Sequence, residues 1–318
     1  MIFYFTGTGN SHAAAKALLG KDEKLISMGE AIRARSYVYR IEEDEKIGFV
    51  FPVYFAGLPT AVEWFVKKLR LTGGRAGFTY AVFTCGSNPG ASDAALEKIL
   101  AEKEISLDQC YRLVMPENYF IMFPIPSEEE QEEILGNAAK ALQMIRLDIG
   151  AGPAEPDPGD CCCADHDHPE NNSAENCCAD HDHPENNSAE SCCADHDHPE
   201  DLQPDDAEEL LAGIDACTYH SNAAVRAASK PLHAVYTSGL GRKTGSFWVD
   251  DQCVSCHACE NRCPCGAISL IDGVPTWIKE TCVMCLGCAR CGAIHYGRTD
   301  EKNGRYKHPV FRKKSHHH

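Results

Sequence analysis

Residues 2–11 read Ile2-Phe3-Tyr4-Phe5-Thr6-Gly7-Thr8-Gly9-Asn10-Ser11. An apolar run of strand length enters a loop of glycines, hydroxyls and an amide, and an amphipathic helical stretch follows, near residues 10–20. Such a loop is built to receive a phosphate. Glycines allow a tight curl whose N–H groups point at the anion, Thr6, Thr8 and Ser11 add hydroxyl donors, and the helix start contributes favourable partial charge. The dinucleotide fingerprint is a weak match, because His12 stands where its third glycine belongs. The plain alternative is a glycine-rich strand–helix turn.

The alternation continues outward from this loop. Ile47–Val53, Phe78–Thr84 and Tyr111–Met115 have strand length, and Leu25–Met28 is a weaker run. Amphipathic stretches near 58–70 and 91–103 lie between them, and Ser127 with Glu130 forms a capping box for a helix over about 127–147. Continuous apolar strands separated by helices predict a parallel sheet covered on both faces. Two further loops follow strands: Phe51-Pro52-Val53-Tyr54-Phe55-Ala56-Gly57-Leu58-Pro59 and Thr84-Cys85-Gly86-Ser87.

The first loop resembles the FMN-phosphate loop of flavodoxins, with Ser11 where threonine is common, and the likeness extends over most of residues 1–148. It implies an α/β, flavodoxin-like doubly wound parallel sheet forming an FMN-binding domain over 1–149. The phosphate would rest on Thr6, Gly7, Thr8, Gly9, Asn10 and Ser11. Tyr54 or Phe55 would stack on the isoalloxazine, and Thr84, Cys85 and Gly86 would let the backbone approach its edge. Met115-Pro116-Glu117-Asn118-Tyr119 would edge the same site. Taken alone, each aromatic reads as readily as core packing.

The other strong signal is cysteine. The chain holds 19, yet Met1 leads straight into the apolar strand, so no signal peptide is expected. Tightly spaced cysteines in a cytoplasmic, reducing compartment read as metal ligands rather than disulfides. Cys253-x2-Cys256-x2-Cys259-x3-Cys263-Pro264 and Cys282-x2-Cys285-x2-Cys288 are both followed by Gly-Ala-Ile. Two-residue spacers curl the backbone around one cubane and aim three sulfurs inward, with the fourth cysteine pointing at a second cluster. Paired zinc sites are the alternative, though zinc more often joins two separate C-x2-C units.

These runs resemble the bacterial two-cluster ferredoxins, which implies a small α+β domain with two [4Fe–4S] clusters over 247–300. By that resemblance one cluster takes Cys282, Cys285, Cys288 and Cys263. The other takes Cys253, Cys256 and Cys259 with Cys291. The second run is shortened, so Cys291 either completes that set with altered geometry or corresponds to Cys265 and is not a ligand. The whole is similar to the family that fuses a flavodoxin domain to a bacterial ferredoxin domain.

Between the modules, residues 150–206 contain breakers and a 15-residue repeat, CCADHDHPENNSAEN, beginning at Cys162 and Cys177 and truncated at Cys192. With few apolar residues the segment is expected to be a disordered insert. No Lys or Arg occurs between Arg146 and Arg226, so the net charge of −17 is concentrated there, which argues against nucleic acid as a partner. A helical connector is expected over 207–246, with Leu210, Leu211, Ile214, Cys217 and Val225 on the buried side of a helix from Ala207 to Ser229, and a basic tail over 301–318. No membrane span is visible. The expected function is electron transfer between clusters and FMN, a redox carrier or flavin- and iron–sulfur-dependent oxidoreductase with separate redox donors and acceptors. The alternative is a metal-binding or metal-sensing protein working through the Cys/His repeat.

Overall fold

The computed structural model describes residues 1–151 and 212–311, so the repeat insert and the last residues of the basic tail lie outside the described residues. In chain order the first unit contains β1 (Ile2–Tyr4), α1 (Asn10–Leu18), β2 (Leu25–Ser27), α2 (Met28–Ala34), β3 (Val38–Ile41), β4 (Glu45–Pro52), α3 (Thr60–Lys68), β5 (Arg70–Gly73), β6 (Ala76–Cys85), α4 (Ser92–Ala101), β7 (Gln109–Val114) and α5 (Glu128–Asp148). β2-β1-β4-β6-β7 form one five-stranded sheet. Every pair in it is parallel, with Phe3 opposite Ile26 and Phe49, and Val50 opposite Val82. Counted within that sheet the order is 2-1-3-4-5, the flavodoxin-like doubly wound order.

The strands alternate between two cores. Phe3, Phe49, Phe51 and Phe83 pack on the face with α3 and its Phe65. Ile2, Val50, Tyr80, Val82 and Tyr111 turn to the other, against Ala14 and Leu18 of α1 and Leu142 and Ile145 of α5. Burial on both faces explains runs with no polar interruption, and each large side chain so buried is worth about 1.5–3 kcal/mol. α5 starts at the Ser127–Glu130 capping box.

Three elements, α2, β3 and β5, have no counterpart among the sequence expectations. α2 follows β2 with no breaker between them, because Ser27 ends the strand and caps the helix by accepting from the Glu30 N–H. β3 and β5 pair with each other beside the main sheet; their polar residues face solvent, so neither reads as a core strand.

The expected helix from Ala207 to Ser229 is corrected where it is described. Residues 212–217 are helical, but the chain then extends so that the Tyr219 N–H donates to the Cys110 carbonyl at the edge of β7. Ser221 N–H and Oγ both bind the Asp93 carboxylate at 2.6 Å, and Asn222 caps a new helix, α6 (Ala223–Thr237). Buried hydrogen bonds to Asp93 hold the break. Leu210 and Leu211 lie outside the described residues.

The second unit comprises β8 (Phe247–Val249), α7 (Ala258–Arg262), β9 (Ile268–Ile271), β10 (Val274–Trp277), β11 (Ile294–Tyr296) and α8 (Thr299–Asn303). β8 pairs with β11 and β9 with β10, all antiparallel. Its small core of Phe247, Ile268, Met284, Leu286 and Ile294 is joined by Phe120 from the first unit. Among the described residues no helix is long and apolar enough to cross a membrane.

Candidate functional site

Strands β4, β6 and β7 deliver three loops to one end of the sheet, and these loops bound a cavity of about 160 Å³. Asn10, Tyr54, Phe55, Thr84, Cys85 and Gly86 all line it. So do Met115 to Tyr119 after β7, Leu232 and Tyr236 of α6, and Met284. Phe55 holds a left-handed backbone (φ 50°) and its ring stacks on Tyr236 at 5.4 Å with Tyr119 edge-on at 5.8 Å. Burial raises the Cys85 thiol to about 12, so it is neutral at ordinary pH. Glu117 accepts from the Asn118 and Tyr119 N–H groups, each at 2.8 Å, which fixes its carboxylate beside Gly86. The Asn10 amide donates to the Pro116 carbonyl at 3.1 Å, while its Oδ1 is buried without a partner.

The remaining loop residues divide differently. Thr6 and Gly7 line a second cavity; Thr8, Gly9 and Ser11 line neither. Thr8 Oγ1 accepts from the Asn118 amide at 2.7 Å, leaving its own proton free to donate. Ser11 Oγ and Thr84 Oγ1 share a hydrogen bond of 2.7 Å, and Thr6 Oγ1 accepts from the Gly9 N–H at 3.2 Å. Gly9 has φ 119° and precedes α1, a conformation only glycine adopts without strain. An aromatic cleft with an orphaned Asn10 acceptor suits a planar ligand that can donate a hydrogen bond.

The cysteines form two groups. Cys263, Cys265, Cys282, Cys285 and Cys288 line one apolar cavity walled by Phe247, Trp277 and Leu286. Burial raises the Cys282 thiol to about 11 and Cys285 to about 12, and pushes Cys288 well above its ordinary value. Cys263 is lowered to about 6, chiefly by its contact with the Cys265 thiol at 3.7 Å, while Cys265 moves up. Cys282, Cys285 and Cys288 are therefore protonated at ordinary pH unless a metal ion or another positive charge lies beside them. Among the described residues no three Cys, His, Asp or Glu side chains meet at a point that would hold a single ion. A cubane asks something else, since its ligands surround a cage with an iron at each of four corners. Cys263, Cys282, Cys285 and Cys288 share one dry cavity with Cys265.

The first run is more open. Cys259 is buried, Cys253 half-buried, and Cys256 and Cys291 are exposed. Burial, with Cys291 and Cys253 nearby, raises the Cys259 thiol. The two runs nevertheless share one backbone curl. Ser255 and His257 flank Cys256 with φ 51° and 59°, and Met284 and Leu286 flank Cys285 with φ 51° and 55°. Left-handed backbone at four non-glycine residues in matching places is costly enough to require a common reason. After the curl the runs diverge: α7 carries the chain to Cys263, whereas a shorter 3-10 turn, Cys288–Cys291, ends at Gly292. The shortened second run thus leaves Cys291 at the surface.

Tyr236 is a site residue that sequence reasoning missed. Its Oη accepts from the Thr60 N–H at 3.2 Å and donates to the Val283 carbonyl at 3.0 Å, tying the start of α3 to the second cysteine run. A lone tyrosine in a connector helix has no pattern to announce it. The cysteine run also touches the phosphate loop directly, because Gly7 packs against the Cys285 carbonyl.

No family model and no curated protein sequence matches the chain. Among solved structures it is similar to the Trp repressor binding protein from Bacillus subtilis, at 16% identity and a TM-score of 0.28, covering 44% of this chain and 96% of that one. It is also similar to rubredoxin oxygen:oxidoreductase from Desulfovibrio gigas, at 17% identity and a TM-score of 0.25, covering 46% of this chain and 36% of that one. At these scores neither likeness carries weight, and the flavodoxin-like assignment rests on strand order and register.

Proposed function

We propose that the chain is an electron-transfer flavoprotein in which FMN occupies the aromatic cleft and [4Fe–4S] clusters occupy the cysteine runs. FMN supplies one- and two-electron chemistry and the clusters one-electron storage. The observation that carries the reading is the seam between the sites. Met284 lines the aromatic cleft while Val283 and Cys285 on either side of it line the thiol cavity, so adjacent residues of one run serve the two sites. Tyr54, Phe55 and Tyr236 orient a planar ring, the unpartnered Asn10 Oδ1 belongs to a residue of the same cleft, and Phe247, Trp277 and Leu286 keep water from the thiols. Cys263, Cys282, Cys285 and Cys288 are the ligands of the buried cluster; Cys253, Cys256, Cys259 and Cys291 are those of the exposed one. Partners are redox proteins or small molecules that approach at the cleft mouth, where Met122, Phe123 and Leu232 are exposed.

Cys285→Ser tests the assignment. After oxygen-free reconstitution the variant is expected to lose about half the iron of the parent and to keep its flavin. Unchanged iron would remove Cys285 as a ligand.

A further inference from the structure

The face of the phosphate loop turned away from the aromatic cleft borders a cavity of about 340 Å³, lined by Thr6 and Gly7, by His12 of α1 and Arg33 of α2, and by Arg262 and Arg290 of the second unit. It shares no lining residue with the cleft. Glu30 is the one carboxylate on its wall against three guanidinium groups, an excess of two positive charges in a chain whose net charge is −17.

Arg33 gives one N–H to the Gly29 carbonyl at 3.4 Å, whereas Arg290 and His12 are each held with a nitrogen unpaired. The Arg290 guanidinium lies on the Phe311 ring, 3.5 Å from its centroid, and its Nε is buried without a hydrogen-bond partner. Stacking fixes the plane of a guanidinium and leaves its edge donors free. The His12 ring is clamped between Tyr4 at 5.0 Å and Phe311 at 5.3 Å, and its Nδ1 is likewise buried and unpaired. The Arg290 Nε–H is a buried donor that needs an acceptor from outside the chain, and His12 Nδ1, donor or acceptor by tautomer, is a second buried nitrogen without a partner at the same cavity. Arg262 and Arg290 adjoin Cys263 and Cys291, so balancing thiolate charge would account for those two alone. It does not account for Arg33 and His12, which belong to the first unit.

We propose that this cavity binds a phosphate dianion, either free inorganic phosphate or the phosphomonoester of a small metabolite, at the junction of the two units and separately from the flavin. Guanidinium edges match phosphate oxygens in pairs, and the Thr6 and Ser27 hydroxyls complete the donor set. Bound there, the anion ties α1 and α2 to the loops that carry the cysteine runs.

Equilibrium dialysis of the full chain against labelled inorganic phosphate, with and without saturating FMN, tests the site. One phosphate per chain is expected in both conditions. Arg33→Gln, an exposed position, should weaken phosphate binding at least tenfold while leaving flavin content and thermal midpoint unchanged. Arg290→Gln should weaken it at least as much. Displacement of the label by AMP below the concentration of phosphate needed would assign an ester as the ligand; displacement only by equal phosphate would assign the free ion. The proposal is overturned if uptake is not saturable, if neither variant changes it, or if FMN abolishes it, since the anion would then be the cofactor's own phosphate. None of these outcomes depends on iron.

Discussion

At the scale of single residues, Gly7 and Tyr236 hold the two units against each other. A methyl group on Gly7 would land inside the Cys285 carbonyl, so Gly7→Ala must push the cysteine run away from the phosphate loop. It should cost about 1–3 kcal/mol, as overpacking does, seen as a lowered thermal midpoint. Gly136→Ala, where nothing lies within 4 Å of the added carbon, is the control and should be neutral or stabilising. Tyr236→Phe keeps the ring stacked on Phe55 but deletes the bonds to the Thr60 N–H and the Val283 carbonyl. The loss is expected to be about 1–3 kcal/mol in urea unfolding, because the Val283 carbonyl stays buried without its donor.

At the scale of elements, β11 is fastened to its neighbours by one charged network. His295 is hydrogen-bonded to Asp250 through Nε2 at 2.9 Å and to the nearly buried Asp300 carboxylate through Nδ1 at 2.7 Å, and Arg305 pairs with the same Asp300 carboxylate. Burial alone would raise Asp300, but Arg305 and His295 outweigh it and hold the carboxyl below its ordinary value of 3.8. A carboxyl depressed on folding stabilises fully above its unfolded value and loses that contribution as pH falls through the folded one. Asp300→Asn should therefore be less stable than the parent at pH 7, with the gap closing in acid; a gap independent of pH would remove the network from the account. The main strands of the first unit were legible because burial on both faces leaves unbroken apolar runs such as Phe49-Val50-Phe51. β3 and β5 were not, since exposed residues interrupt their pattern. The break after Cys217 was illegible because it depends on Asp93, more than a hundred residues away in the chain.

At the scale of the whole molecule, the sequence showed which residue types could hold a flavin and a cubane, and the structure adds their arrangement. Asn10, Tyr54, Phe55, Thr84, Cys85 and Gly86 share one cleft, but Thr6 and Gly7 serve another cavity. A glycine-rich loop has two faces, and local sequence does not say which neighbour covers each. The covering of Gly9 by His308 and Phe311 was equally hidden, since a basic tail carries no mark of where it docks. The likeness of the two cysteine runs was visible in their spacing and is deepened by the matched backbone at Ser255, His257, Met284 and Leu286. The central claim is that the thiols hold iron–sulfur clusters beside a bound flavin. Metal, sulfide and flavin analysis of protein prepared without oxygen, with electron paramagnetic resonance of the reduced sample, tests it most directly. The account predicts about one FMN and about eight iron atoms per chain, with reduced-cluster signals; zinc in place of iron, or a chain that takes up no flavin, would contradict it.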